Sequence, residues 1–130
     1  MLDIENIVFT RVKAKMPQSI KDKYPKMRFT TSDTSSSTPQ FPTVYIHMLE
    51  SSEVGEDFEG TDINGINASF QIEVSDNQSQ ARAKEVMDEV VLTMKSMRFR
   101  AVGMPFFSNT SGTYRSITRY RRKIGSNDIL

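Results

Sequence analysis

Residues 66–97 change hydrophobic period partway along, and that change constrains the fold more than any other feature of the chain. INASFQIEVS alternates with period two: Ala68, Phe70, Ile72 and Val74 fall on one face, Ser69, Gln71, Glu73 and Ser75 on the other. Beyond it, Ala83, Val86, Met87, Val90, Val91, Met94 and Met97 recur at helical spacing. Ser75 and Gln78 have capping-box spacing, so a helix is expected to follow them and run to about Met97. A half-apolar strand leading into a half-apolar helix hides both surfaces only when the helix folds back onto the sheet. The chain is therefore expected to be α+β.

The remaining segments fit that frame. Residues 3–16 read as an amphipathic helix, with Ile4, Ile7, Val8, Val12 and Met16 on a broad face and Asp3 and Glu5 in its first turn. Pro17 ends it, and Ser19–Lys23 can form a second short turn. Met27–Thr31 reads as a short strand, and TSDTSSSTPQFP, residues 31–42, as a loop. TVYIHMLE, residues 43–50, is β-branched and aromatic, apolar on both alternating faces, as a central strand would be. Residues 51–65 read as an acidic loop or hairpin tip, with Asn64-Gly65 as a turn signal. Gly103 and Pro105 break the long helix's pattern, SNTSG at 108–112 reads as a turn, and a last strand follows. At 130 residues this makes one domain. Its expected form is a mainly antiparallel sheet of about four strands, with the N-terminal helix and one long helix packed on one face.

The last strand, TYRSITRYRRKI, holds Arg115, Arg119, Arg121, Arg122 and Lys123 and no acid. It belongs to a larger segregation of charge. Residues 29–81 carry nine acids and no Lys or Arg, whereas residues 98–130 carry seven basic residues against one acid. The formal net charge of +1 hides this split, which bears on partners rather than on fold. With period two, Tyr114, Ser116, Thr118 and Tyr120 share one face, and Arg115, Ile117, Arg119, Arg121 and Lys123 the other. An arginine row can track phosphates, but the tyrosines that would stack bases point away from it, and the RRM aromatic signature is missing. Carboxylates on a protein partner are the favoured counterpart. The acidic residues Glu53, Glu56, Asp57, Glu59 and Asp62 are the candidates within the chain.

Residues for catalysis are not assembled in any motif. His47, the one histidine, sits mid-strand without an orienting partner and reads as a packed or half-exposed strand residue. The acids of DFEGTD do not follow the EF-hand pattern, and no phosphate-binding glycine motif or nucleophile elbow is present. With no cysteine, thiolate metal sites and disulfides are excluded. The expectation is a non-enzyme with no cofactor and no metal. No window approaches the roughly 18 apolar residues of a membrane span, and Asp3 and Glu5 stand near the start, where a secretory leader would carry positive charge.

Four pieces in order resemble the tail terminator, or tail completion, proteins of long-tailed, non-contractile bacteriophages. They are the IENIVFTRV helix, the FPTVYIHMLE strand, the FQIEVSDNQSQARAKEVMDEVVLTMKSMRF strand–helix unit and the closing YRSITRYRRK strand. The resemblance covers most of the chain and rests on layout and on degenerate echoes such as F-P and Y-R…R-Y, not on one diagnostic motif. It implies a small subunit forming a homo-oligomeric, hexameric ring on the head-proximal end of the tail tube. Such a ring stops polymerisation of the major tail tube protein and joins the tail to the head–tail connector. DNA passes through it without specific binding, and the location is the virion, with assembly in the host cytoplasm. A neighbouring connector or neck component, or a nucleic-acid-binding module using the basic strand, are the alternatives. Segregated charge is a natural code for the head-to-tail contacts of a ring.

Overall fold

The helical stripe lies across the apolar face of the alternating strand, as the change of period requires. The computed structural model describes residues 4–31, 41–49, 52–56, 63–103, 106–110 and 113–125. Two long antiparallel strands form its spine, β4 (Ile63–Asp76) and β7 (Thr113–Gly125), in register from Gly65 opposite Gly125 to Asp76 opposite Tyr114. Along the other edge of β4 run β2 (Thr43–Met48) and then β3 (Ser52–Glu56), both antiparallel to it. Along the other edge of β7 run β5 (Arg100–Ala101) and β6 (Phe106–Thr110). At the far edge, β1 (Arg28–Thr30) pairs with β2 in parallel. Among the described residues the sheet thus has seven strands rather than about four. The additions, β3, β5 and β6, are two to five residues long, too short to show a period.

Among the described residues, three helices join the sheet: α1 (Ile4–Lys15), α2 (Gln18–Lys23) and α3 (Gln80–Ser96). α3 packs on β4, β7 and β5, while α1 packs on α3, β1 and β2. Ile4, Val8, Val12 and Met16, spaced four apart, turn α1's stripe into the core, and Ala83, Val86, Met87, Val90 and Met94 do so for α3. The strands contribute Val44, Ile46, Ala68, Phe70, Ile72 and Val74. Phe99 closes the core edge-on against Phe70, with ring centroids 5.5 Å apart. Lys23 on α2 clasps Glu85 on α3 at 2.9 Å, and that hydrogen bond raises the lysine's pKa.

Three expectations are corrected by pairing. Asn64-Gly65 does not turn the chain: both residues lie within β4, where Gly65 faces Val54 on one side and Gly125 on the other. Ser108 and Asn109 belong to β6, because Thr110 pairs with Thr113 and leaves only residues 111–112 between the strands. Ser75 stays in the ladder opposite Arg115, so the cap of α3 passes to Ser79, whose Oγ accepts from the Arg82 N–H at 3.2 Å. The Asp76 carboxylate, fully buried, accepts from the N–H groups of Gln78 and Ser79 at 2.9 and 3.0 Å. In each case ladder hydrogen bonds on a long strand outweigh a local turn or cap preference.

The far end of α3 closes with a Schellman motif. The Phe99 N–H reaches the Met94 carbonyl and the Arg98 N–H the Lys95 carbonyl, with Arg98 between them at φ +65°. Glycine is the usual residue there, since a Cβ in the left-handed region carries a steric penalty of about 1 kcal/mol. Arg98→Gly is therefore expected to stabilise the fold by about 1 kcal/mol, read as a higher urea midpoint at unchanged slope. A lower midpoint would show that the arginine's own contacts outweigh the backbone strain.

Candidate assembly interface

Strand alternation divides β7 as its sequence suggests. Ser116, Thr118, Tyr120 and Ile124 are buried on the helix side. Arg115, Arg119, Arg121 and Lys123 are exposed on the open side, successive side chains about 7 Å apart. Arg122 departs from the row: it falls on the helix side and is only 8% exposed. Ile117, on the arginine side, is buried as well, in register with Phe106 and Glu73.

The arginine row extends across the sheet. Arg119 Nε donates to Gln71 Oε1 at 2.9 Å, and Gln71 Nε2 donates to Glu73 Oε1 at 3.1 Å. On the next strand Tyr45 lies opposite Glu73 and His47 opposite Gln71, their rings 5.6 Å apart. His47 is exposed, and among the described residues no cluster of His, Cys, Asp or Glu could hold a metal ion. Strand β2 was expected to be apolar on both faces; its Tyr45–His47 face is instead the open one, since the helices cover only the Val44–Ile46 side. Tyr120 is core: 2% exposed, its hydroxyl 4.0 Å from Met87 Sδ, its phenol pKa pushed above the ordinary range by burial. The aromatic residues on the arginine side are therefore Tyr45 and His47 on β2 and the exposed Phe106 on β6, opposite Ile117, which a strand-by-strand reading does not bring together with β7.

At its C-terminal end β7 outruns its neighbour. β5 pairs only Arg100 with Arg121 and Ala101 with Tyr120, so among the described residues no strand borders β7 on that side beyond Arg121. A groove of about 640 Å³ opens there, lined by Arg98, Arg100, Arg121, Arg122, Lys123 and Asn67 among others, with no carboxylate among the described residues of its wall. Arg100 and Arg121, directly opposite one another, are a like-charge pair that the sheet tolerates at some loss of stability. Sequence reasoning named Arg121, Arg122 and Lys123 but missed Arg98 and Arg100. Their signal was faint: a basic residue just after the last helical methionine, and another two positions on.

The candidate acidic residues divide in two. Glu53 and Glu56 are on β3, opposite Ile66 and Ile63. Asp57, Glu59 and Asp62 lie outside the described residues. No described helix is long and apolar enough to cross a membrane.

No protein-family model matches the chain, and a search of curated proteins finds no match. Among solved structures, the fold is similar to that of a chain in the virion of a native gene transfer agent (GTA) particle. The two are 16% identical, with a TM-score of 0.56, over 92% of each chain. At that identity the likeness is one of architecture: the α+β arrangement described above, nearly end to end, is also the fold of a virion component.

Proposed function

We propose that this chain is a structural virion protein of the phage type. In the finer form of that reading, it forms a ring on the head-proximal end of a tail tube, ending tube polymerisation and joining tail to head connector. The likeness to a gene transfer agent virion chain over 92% of both chains carries the proposal, and the resemblance of the sequence to tail terminator proteins narrows it. The role is mechanical and asks for no catalysis, cofactor or metal. What it requires is a rigid subunit with two different surfaces that match one another, because a closed ring is built from heterologous contacts. Opposite charges at separate places on one sheet suit that requirement.

Imaging by negative stain tests this reading. The purified protein, mixed with polymerising tail tubes, is expected to appear as a ring at one end of each tube and to halt growth there. Tubes that grow to the same lengths with bare ends would refute the tail-terminating role. One observation favours a rival, nucleic acid: the half-buried Tyr45 and the exposed His47 share a face with Arg119 and Arg121. A gel-shift titration with single-stranded and duplex DNA separates the two readings. Steeply salt-dependent binding by the free protein, with tube ends left bare, would favour the rival.

A further inference from the structure

The unit β3–β4–β7 ends in two open edges of opposite charge. β3 pairs with β4 on one side, and among the described residues nothing pairs with its other side. β7 is likewise open beyond Arg121 on the side away from β4. The first edge carries Glu53 and Glu56, with Asp57, Glu59 and Asp62 following in the sequence. The second is flanked by the exposed Arg100, Arg121 and Lys123. On the described strands, Glu53 and Glu56 stand against the exposed bases Arg100, Arg121 and Lys123.

An exposed strand edge is a row of unpaired N–H and C=O groups, and proteins commonly guard one with charge so that copies do not pair indiscriminately. A basic guard repels another basic edge. It admits an acidic one, so the same charges that prevent like-with-like pairing select the opposite edge. Within one chain the two cannot meet. β4 and β7 lie between β3 and the groove, which puts three strand spacings, or about 14 Å, between β3 and β5. The partner must therefore be a second molecule.

We propose that the acidic edge of β3 in one copy pairs with the open basic edge of β7 in the next, extending the sheet from subunit to subunit. This deepens the ring reading, on which it rests, by naming the contact. Main-chain hydrogen bonds would supply attraction, the charges register and direction. The contact is head-to-tail: each copy offers one edge of each kind, and ring closure leaves neither exposed. Nucleic acid fits this groove less well, because none of the described residues of its wall is aromatic.

The cysteine-free sequence makes a direct test available. Chains carrying Glu56→Cys and chains carrying Lys123→Cys, both positions on the open side of the sheet, are mixed and oxidised at concentrations where the wild type sediments above the monomer. A mixed disulfide dimer is expected, with neither variant cross-linking to itself. Self-linked dimers of one variant would indicate a two-fold contact and overturn the proposal. So would the absence of a mixed dimer, or a wild type that stays monomeric at every accessible concentration. Charge reversal checks the cause. Arg100→Glu with Arg121→Glu should weaken self-association by about tenfold or more, as should Glu53→Lys with Glu56→Lys. Mixing the two reversed chains should restore it. If the reversals leave association unchanged but abolish salt-sensitive binding of an oligonucleotide, the groove is a nucleic-acid site and the edge pairing is wrong. Rings that cap tubes without the 56–123 cross-link would refute this contact alone. A cross-link without capping would refute the tail role and leave the contact standing.

Discussion

Val90→Asp is expected to leave the chain unfolded. Val90 is 0% exposed on α3, in the layer that closes over β4 and β7, within the cluster that also holds Val86, Met87 and Met94. A carboxylate there loses its hydration and gains no described partner, a penalty of several kcal/mol. Lost packing of the valine adds to it. A domain of this size has about 5–15 kcal/mol of stability in all, so one such substitution takes most or all of it. Val90→Ala gives the comparison: it removes two methyl groups without adding charge, and about 2 kcal/mol of destabilisation is expected. Circular dichroism during heating distinguishes the three proteins. The alanine variant should melt cooperatively at a lower temperature, while the aspartate variant should show no cooperative transition. A Val90→Asp protein that melts like the wild type would mean that α3 presents another face to the sheet.

Asp76→Ala has the second-largest expected effect, and here a polar group is at stake. Asp76 closes β4 just where the chain must leave the sheet and start α3. Its carboxylate is fully buried, and Oδ2 holds the N–H groups of Gln78 and Ser79 in the turn. Oδ1 lies 3.5 Å from Arg82 Nη2, and the Arg82 guanidinium stands 4.7 Å over the Tyr24 ring. Tyr24 in turn donates to Glu85 at 3.4 Å. One carboxylate thus links the end of β4, the start of α3 and the chain after α2. Alanine would strand two backbone donors and remove the arginine's counter-charge, for a loss of about 3 kcal/mol. Asp76→Asn keeps an acceptor for the turn but not the charge, so roughly half that loss is expected. Urea denaturation of wild type, Asp76→Ala, Arg82→Ala and the double variant gives the coupling between the two side chains. A double variant whose loss equals the sum of the singles would show that the 3.5 Å pair contributes nothing beyond the turn.

The two predictions mark different limits of what a sequence reveals. Val90 was legible, because helical spacing is a local property: every third or fourth residue must be apolar if one side of a helix faces a core. For the same reason alternation in INASFQIEVS and TYRSITRYRRKI assigned faces to β4 and β7 that the structure retains, with Arg119 and Arg121 on the open side and Tyr120 inside. Asp76 was not legible, since an acid after a strand looks the same whether it faces water or a buried turn.

Pairing across the sheet lies further still from the linear pattern. That Asn64-Gly65 would run straight through a strand depends on Val54 and Gly125, neighbours contributed from either side of β4. Nor does the linear pattern show that β1 joins β2 in parallel, or that β5 stops two residues into its pairing with β7. The basic groove arises from the same accident of lengths. Arg98 at a helix end, Arg100 on a two-residue strand and Lys123 near the end of a long one are as much as 25 positions apart, and only the folded sheet brings them to one edge. Local periodicity determined which residues face the core. Which strand edges stay open, and what charge each bears, was decided by long-range hydrogen bonds between segments whose individual sequences carry no record of their neighbours.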